Sequence, residues 1–373
     1  MARIVYGVQG EGRGHSSRSR VVIEHLLAAG HAVRVFTSHK AYAYLHPLFP
    51  DVHDILGLAF VFDGERVDVL KTVQRNLQDA TSEGGRTIRL LSDAFKEFRP
   101  DVAITDFEPF VPMARALSDI PLLSVDHQHI LSQYRLEYPY AWRGDYLQAR
   151  AVVDSLARRA DHYFVTSFFF PPPRPRYARR ATLVGPVLRR EVLLRAARAQ
   201  MQGASQVAGA PILLYATTAE ARLALLLMEG RKETCVAYGF ADESGRRGNI
   251  DFRPPSTEGF LEDLAEAHAV VTNGGYTLMS EALALGKPVY AIPIRNQFEQ
   301  MMNGHYLERL GYGLYDLEPR PARLTMFLEG WSYFRNNIAR DRARFQGNEP
   351  FFDLLDEHLR RPRRRTPGRT RSR

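Results

Sequence analysis

The chain has 373 residues, enough for two domains with full cores, and its hydrophobic content of 45% is ordinary for a globular protein. A single cysteine, Cys235, excludes an intramolecular disulfide, and no apolar run approaches the ~20 residues that a membrane-spanning helix needs. The formal net charge is +8, but residues 361–373 contain seven Arg and no acid, so the rest of the chain carries only 8 − 7 = +1.

This basic segment, residues 361–373, combines Pro, Gly and like charges, a composition that predicts a disordered tail. Such a tail is either a solvated end or a contact for anionic lipid or nucleic acid. The first apolar run begins at Ile4, and no charged-then-apolar signal segment precedes it. We therefore expect a cytoplasmic protein, with peripheral contact at the inner membrane surface as an option.

The chain begins with a strand, a glycine-rich loop, a helix and a second strand, which is the start of a doubly wound α/β domain. The loop, residues 9–15, reads QGEGRGH and has the spacing G-x-G-x-G instead of the G-x-G-x-x-G of dinucleotide-binding proteins. The second strand ends in Thr37-Ser38-His39, with no acid to bind a ribose. These two departures argue against NAD(P) binding.

A strand over residues 100–106 ends in Asp106. Ligand groups in open α/β sheets lie at the carboxyl ends of strands, so we expect Asp106 to face the loop that contains His15. Glu108 is the competing carboxylate. A role for Asp106 as a cap of the following helix is an equally good interpretation.

The next strand, residues 120–125, is followed by Asp126-His127-Gln128-His129. Two histidines and an acid at a strand end could chelate zinc, but no further Cys or carboxylate cluster supports such a site. We interpret the segment as lining a cleft, with His127 and His129 as candidates for ligand contacts. A D-x-D motif, which holds a diphosphate through a metal ion, is absent.

Residues 270–303 contain the densest pattern of the chain. A strand ends at Thr272-Asn273-Gly274-Gly275, a helix runs from Tyr276 to Leu285, and a second strand is followed by a polar loop. The glycine turn directs backbone N–H groups and the positive end of a helix dipole at one point, which favours an anion such as phosphate. Glu281, about one turn further along, could accept hydrogen bonds from a ribose.

This pattern resembles the donor-nucleotide signature of GT-B glycosyltransferases, the superfamily that includes the UDP-glycosyltransferases and the peptidoglycan GlcNAc transferase. The matching residues are Gly274, Gly275, Thr277, Glu281, Gly286, Pro288, Glu299, Gln300 and Asn303. Two positions depart from the family pattern, since Glu299 replaces the usual Asp, and Asn273 stands where many members have His or Ser. The first change keeps the carboxylate, whereas the second leaves open how the diphosphate is held.

The resemblance extends to the first glycine loop, because the loop of the GT-B acceptor domain also ends in Gly-His, here Gly14-His15. It implies that His15 is the catalytic base and that Asp106 orients it, although His15 could also merely cap its helix. It implies donor-binding and acceptor-binding roles for two further sets of residues. The donor set is Thr217, Phe252, Arg253, Asn273, Gly274, Gly275, Tyr276, Thr277, Glu281, Glu299 and Gln300, and the acceptor set is Gly12, Arg13, Glu108, His127 and His129.

We therefore predict an α/β protein of the GT-B fold, with two Rossmann-like, doubly wound domains facing a central cleft. The acceptor domain should span residues 1–185, the donor domain 186–335, and helices returning to the first domain 336–360, before the tail at 361–373. The predicted activity is metal-independent, inverting transfer of a sugar from a nucleotide-diphosphate sugar, with UDP favoured and no cofactor, to an acceptor hydroxyl. The alternatives are an enzyme similar to the nonhydrolysing nucleotide-sugar epimerases and a non-catalytic protein that binds nucleotide sugars or nucleic acid.

The acceptor is open at this level. A lipid-linked precursor, a polysaccharide, a natural product and a nucleic acid all fit the sequence.

Overall fold

The computed structural model describes residues 1–57, 62–63, 66–67, 84–115, 118–156, 160–201, 209–240 and 243–360. The tail predicted at 361–373 lies outside these residues. The described chain forms two large, mainly parallel sheets with helices packed against them, which confirms the predicted α/β class. None of the described helices has both the length and the apolar character to cross a membrane.

The first sheet is formed by the N-terminal half of the chain. Its strands are β1 (Arg3–Val8), β2 (Ala32–Thr37), β3 (Val52–Asp54), β6 (Val102–Asp106), β7 (Leu122–Asp126), β8 (His162–Thr166) and β9 (Ala181–Val184), while β4 (Phe62–Asp63) and β5 (Arg66–Val67) form a separate antiparallel pair. The strand order is β3-β2-β1-β6-β7-β8-β9 and each pairing is parallel. Strands β6 and β7 are buried throughout, as expected where helices cover both faces.

The described helices of this half follow the strands. They are α1 (Arg13–Ala28), α2 (His39–Leu45), α3 (Gly85–Phe98), α4 (Phe110–Arg115), α5 (Ile130–Gln133) and α6 (Arg143–Leu156), with 3₁₀ turns at Tyr140–Trp142 and Pro175–Tyr177. Helix α1 packs Val22, Ile23 and Leu26 onto the sheet.

The second sheet is formed by the C-terminal half. Its strands are β10 (Ile212–Tyr215), β11 (Cys235–Tyr238), β12 (Gly245–Arg247), β13 (Ile250–Phe252), β14 (Ala269–Thr272), β15 (Val289–Ala291) and β16 (Gly313–Tyr315), in the order β12-β13-β11-β10-β14-β15-β16. Only the pair β12–β13 among these is antiparallel. The helices are α7 (Arg190–Met201), α8 (Ala219–Met228), α9 (Thr257–Glu266), α10 (Tyr276–Ala284), α11 (Phe298–Arg309), α12 (Pro321–Glu329), α13 (Trp331–Arg340) and α14 (Asn348–Arg360), with a 3₁₀ turn at Arg342–Phe345.

The chain passes between the two halves twice, and the two crossings touch. The backbone segments at Gly185 and Gly347 are so close that a Cβ on Gly347 would be 2.1 Å from the carbonyl oxygen of Gly185. Asn348 fixes this contact, because its side chain accepts a hydrogen bond from the N–H of Leu188 and donates one to the carbonyl of Leu188, both at 2.8 Å. Beyond this point α14 packs Phe351 against the first sheet.

In each sheet the strand order reverses beside a central strand, and the loops at that point form two regions. The N-terminal switch region comprises residues 9–15, after β1, and 106–108, after β6; the C-terminal switch region comprises residues 216–218, after β10, and 273–277, after β14. The two regions face each other closely, since a Cβ on Gly14 would lie 2.6 Å from Oγ1 of Thr277. Doubly wound sheets bind ligands at such positions, so the functional site is expected between them.

Candidate active site

His15 lies in the first turn of α1 and is hydrogen-bonded to the end of strand β6. Because β1 and β6 are neighbours with Val8 paired to Asp106, the loop after β1 places Nδ1 of His15 2.7 Å from Oδ1 of Asp106. A carboxylate only accepts, so Nδ1 carries the proton and the lone pair of the neutral ring lies on Nε2, where the amide nitrogen of Gln128 approaches to 3.4 Å. The histidine therefore has the tautomer that a general base needs.

Asp106 is fully buried and is held by further donors. Arg18, itself 3% exposed, donates from Nε to Oδ2 at 3.0 Å and from a terminal nitrogen to Oδ1, and Ser19 donates its hydroxyl to Oδ2 at 2.9 Å. Burial alone would lower the pKa of Arg18, but the charge of Asp106 outweighs it and raises that pKa. Arg13, Arg18 and Arg20 all lie near the glycine loop, and the sequence indicates only that they add positive charge there; in the structure the charge of Arg18 balances that of Asp106.

Glu108, the competing carboxylate, caps the next helix. Its two oxygens accept hydrogen bonds from the backbone N–H groups of Phe110 and Val111 at 2.7 and 2.8 Å. Burial raises its pKa to about 7, against the effect of these two donors. Of the two acids, Asp106 is the one hydrogen-bonded to His15.

His129 and Asp126 form a buried pair behind the cleft wall. Nδ1 of His129 donates to Asp126 at 2.6 Å, and the hydroxyl of Ser124 donates to the same carboxylate at 2.6 Å. Burial would raise the pKa of Asp126, but the charge and hydrogen bonds of His129 hold it below its usual range. His129 is 2% exposed, so its ring belongs to the interior of the first domain. No group of three or more His, Cys, Asp or Glu placed to hold a metal ion occurs among the described residues.

His127 connects the two domains instead of lying free in the cleft. Its Nδ1 donates to the carbonyl of Thr166 at 2.7 Å, and its Nε2 lies 2.9 Å from Oδ1 of Asn303 on α11. The ring stacks on Tyr276 with a centroid distance of 3.9 Å. Asn303 in turn donates to the carbonyl of Gly274 at 3.0 Å, so His127 supports the glycine turn from across the cleft.

Gln128 lies between the candidate base and the second domain. Its Nε2 donates to Oε2 of Glu299 at 3.1 Å and lies 3.4 Å from Nε2 of His15. Its Oε1 is buried, and no described residue donates to it. A substrate hydroxyl could supply that missing donor. On the rim of the same loop, Gly12 has a φ of +84° and Arg13 is exposed.

Asn273 fixes the C-terminal switch region. Its Oδ1 accepts hydrogen bonds from the N–H and the hydroxyl of Thr217 at 3.1 and 2.8 Å, and its Nδ2 donates to Thr218 and to the carbonyl of Ile292. Asn at this position therefore joins the loops after β10 and β14. Because these hydrogen bonds engage the side-chain amide of Asn273, the groups that remain to bind an anion are backbone N–H groups.

Those N–H groups belong to the glycine turn and the start of α10. Gly275 is the N-cap of the helix and no side chain caps it, so the first-turn N–H groups keep no side-chain partner. Gly274 packs against α11, since a Cβ on Gly274 would lie 2.6 Å from the carbonyl oxygen of Gln300. Tyr276 is buried against His127, and Thr277 faces Gly14.

The remaining donor candidates are placed as follows. Glu281 is buried and its two oxygens accept from Arg189 at 2.8 and 2.7 Å. Gln300 closes its own loop by accepting from the N–H of Ile294 at 3.1 Å. Phe252 is 3% exposed, in the core of the second domain, and Arg253 is an exposed residue beside Asp251. The N–H of Arg253 donates to the carbonyl of Ala237 on β11. No described hydrogen bond connects Phe252 or Arg253 to the glycine turn.

Sequence reasoning did not single out three residues that the structure brings into this site. Gln128 was included only in a segment that lines the cleft, and Arg18 only as a nearby charge. Arg189 carried no signal, because it lies in a basic stretch just after the first crossing between the domains. Its partner Glu281 is 92 residues away, and no local pattern predicts a pair of that separation.

Comparisons with known proteins agree with this architecture. The sequence model of glycosyl transferase family 1 matches residues 2–330. An uncharacterized glycosyltransferase of Methanosarcina mazei is 23% identical over 338 residues, which covers 83% of this chain and 84% of the relative. The calicheamicin glycosyltransferase CalG4 superposes with a TM-score of 0.66 at 18% identity, covering 96% of this chain and 98% of that chain.

A third comparison concerns Arabidopsis thaliana UGT89C1, whose structure contains UDP. It superposes with a TM-score of 0.65 at 14% identity, covering 96% of this chain and all of that chain, 100%. The resemblance noted from residues 270–303 and the GT-B fold predicted from it are thereby confirmed.

Proposed function

Since the chain belongs to glycosyl transferase family 1 and is a glycosyltransferase, we propose that it transfers a sugar from a nucleotide-diphosphate sugar to an acceptor hydroxyl with inversion. The observation that carries this proposal is the His15–Asp106 pair, set directly opposite an uncapped helix N-terminus in the other domain. A base and an anion site on opposite sides of one cleft are what a direct displacement at an anomeric carbon requires.

In the proposed mechanism, Nε2 of His15 removes the proton of the acceptor hydroxyl. That oxygen attacks the anomeric carbon, and the bond from this carbon to the diphosphate oxygen breaks. The departing diphosphate gains negative charge, which the N–H groups of residues 275–277 and the dipole of α10 stabilise. One displacement inverts the anomeric centre. We propose that no metal or other cofactor is required.

For the donor we favour UDP-sugars, the chemistry suggested by the UDP bound to UGT89C1. Glu281 is assigned to the ribose, Glu299 and Gln300 to sugar hydroxyls, and Thr217 and Asn273 to the surroundings of the diphosphate. Phe252 and Arg253 are assigned to the base, through backbone atoms. The hydrogen bond from Gln128 to Glu299 supports the assignment of Glu299 to the sugar, because it places that carboxylate beside the proposed base, His15.

For the acceptor, we assign binding to the first domain. Gly12 and Arg13 form the exposed rim of the glycine loop, and Glu108, His127 and His129 would act from behind it through the wall of the cleft. A cytoplasmic location, with the Arg-rich tail at 361–373 on an anionic surface, remains part of the proposal.

The experiment is calorimetric binding of UDP, dTDP and GDP to the metal-free protein, followed by nucleotide-release assays with the matching sugars and a panel of hydroxyl acceptors. We expect one nucleotide to bind in preference to the others without added metal. NMR of the product should show the inverted anomer. Absence of binding by all three would contradict the donor site, and conversion of the nucleotide sugar into its epimer would favour the epimerase alternative.

A further inference from the structure

Glu281, the residue assigned to the ribose, is bound by a charge from outside its own βα unit. Arg189 donates from Nε and from a terminal nitrogen to the two carboxylate oxygens, at 2.8 and 2.7 Å. The side chains are 11% and 3% exposed, so solvent screens the pair poorly. Arg189 directly follows the first crossing between the domains and precedes α7.

The position of Arg189 is fixed on both sides. The preceding residue, Leu188, is clamped through both backbone groups by Asn348 at 2.8 Å. Two residues further on, Glu191 accepts a hydrogen bond from Arg20 at 3.3 Å, and Arg20 belongs to α1, the helix that begins with His15. The guanidinium is therefore presented to Glu281 from a rigid backbone that contacts both domains.

A buried carboxylate that binds a ribose needs a counter-charge, and Arg189 supplies it. Burial raises the pKa of Glu281 above its usual range, and the charge and hydrogen bonds of Arg189 offset part of that rise. A protonated carboxyl would lose an acceptor position and offer a donor to the ribose instead. An ionised carboxylate has about four lone-pair positions, so two remain after the bidentate contact with Arg189, one for each hydroxyl of a vicinal diol.

We propose that Arg189 is a positioning residue for ribose recognition, which acts through Glu281 by balancing the charge of its buried carboxylate and orienting it toward the diol. This inference rests on the proposed function, since it takes the ligand to be a nucleoside diphosphate. The other groups that face the pair are the carboxylate of Glu191 and, on the side of Arg189, the phenol of Tyr44. Neither lies nearer to Glu281 than the guanidinium that binds it.

The test is calorimetric titration of the full-length protein with UDP and with 2′,3′-dideoxy-UDP between pH 6 and pH 9. In Arg189→Met, UDP should bind about tenfold more weakly than in wild type at pH 7, because charged hydrogen bonds to the ribose are lost. Without its counter-ion, Glu281 ionises only at higher pH, so the variant should recover affinity toward pH 9. Dideoxy-UDP should bind equally to both proteins over the whole range.

Three variants separate a positioning role from a structural one. Arg190→Met removes the adjacent, exposed arginine and should leave both titrations unchanged. Arg189→Lys keeps the positive charge, so it should lose part of the affinity but show a weaker pH dependence than Arg189→Met. Glu281→Gln should abolish the preference for UDP over its dideoxy analogue without any pH dependence. If Arg189→Met folds poorly, Arg189→Lys and Glu281→Gln still decide the question.

Unchanged UDP binding in Arg189→Met, or an equal loss of UDP and dideoxy-UDP affinity, would overturn the role of Arg189 and leave the proposed function standing. Failure of the wild-type protein to bind UDP would instead contradict the proposed donor, and this inference with it.

Discussion

The two switch regions handle charge in opposite ways. In the N-terminal switch region, a histidine, a buried aspartate and a buried arginine form one hydrogen-bonded network. In the C-terminal switch region, Thr217 and Asn273 hold the loops through neutral groups, and the N–H groups at the start of α10 lack a side-chain cap.

The difference fits the roles that we propose for the two sides. Moving a proton requires ionisable groups whose protonation states are fixed by partners. Binding a diphosphate that must leave again needs only free N–H groups and a dipole. Changes on the first side should therefore affect turnover far more than nucleotide affinity, and the first prediction below tests that separation.

The largest effect is expected for His15→Ala. Loss of the general base should lower turnover by about 10²–10⁴-fold, while UDP affinity by calorimetry stays within about twofold of wild type. Nucleotide release with a fixed acceptor measures the first quantity. A variant with full turnover would show that another group accepts the proton, and a variant that no longer binds UDP would remove the separation between the two regions.

Asp106→Asn should reduce both turnover and stability. Asn no longer fixes the tautomer with a free Nε2, so turnover should fall at least about tenfold. Arg18 loses its buried counter-ion, which should cost roughly 3–5 kcal/mol in the free energy of unfolding by urea. The double variant Asp106→Asn, Arg18→Met should regain much of that stability but none of the turnover. Recovery of both would mean that the carboxylate is purely structural.

Gly14→Ala tests the close approach of the two regions. The added Cβ would press on Oγ1 of Thr277, so turnover should fall about tenfold because the two sides of the cleft are held apart. The gain in stability of roughly 0.5 kcal/mol from a less flexible unfolded chain should be offset by the shift that this contact forces, so the free energy of unfolding should change little. Gly144→Ala is a matched control, since Gly144 is also the second residue of its helix and has open space around it. An unchanged turnover in Gly14→Ala would show that the approach has no part in the reaction.

The smallest effect on turnover, within about twofold, is expected for Glu108→Gln. The pKa of Glu108 is raised from 4.5 to about 7, so the folded state binds a proton that the unfolded state has released. Its contribution to stability is therefore full below about pH 4.5 and is lost as the pH rises through about 7. Urea midpoints at pH 5 and pH 8 should differ more in wild type than in Glu108→Gln. If the urea midpoint changes equally between pH 5 and pH 8 in both proteins, a group other than Glu108 causes the pH dependence.

The sequence predicted the sheets, the glycine turn and the position of His15 because each depends on local patterns. Apolar runs define the strands, and neighbouring parallel strands bring His15 and Asp106 to one edge. The interior positions of His127 and His129 could not be predicted in this way. They follow the last residue of β7, where strand alternation no longer tells which side a residue faces.

The contacts of Gln128 and Arg189 were beyond sequence reasoning for a different reason. Gln128 bonds Glu299 across the two halves of the molecule, whereas Arg189 bonds Glu281 across 92 residues of the second half, so neither contact follows from a local sequence pattern. Glu281 itself was found from the family pattern, but its dependence on a residue next to the interdomain crossing was not visible in that pattern.

The contact between Gly185 and Gly347 has a consequence for protein engineering. Because both crossings between the domains meet there, residues 186–347 form an insert whose two ends are in van der Waals contact. A chimaera that exchanges this insert for that of a relative has one chain junction, made by the two glycines and the clamp of Asn348 on Leu188, and it also needs to keep the contacts of His127 and Gln128 with the insert. Under the proposed function, the donor site would then move as one cassette, with Arg189 carried inside it beside its partner Glu281.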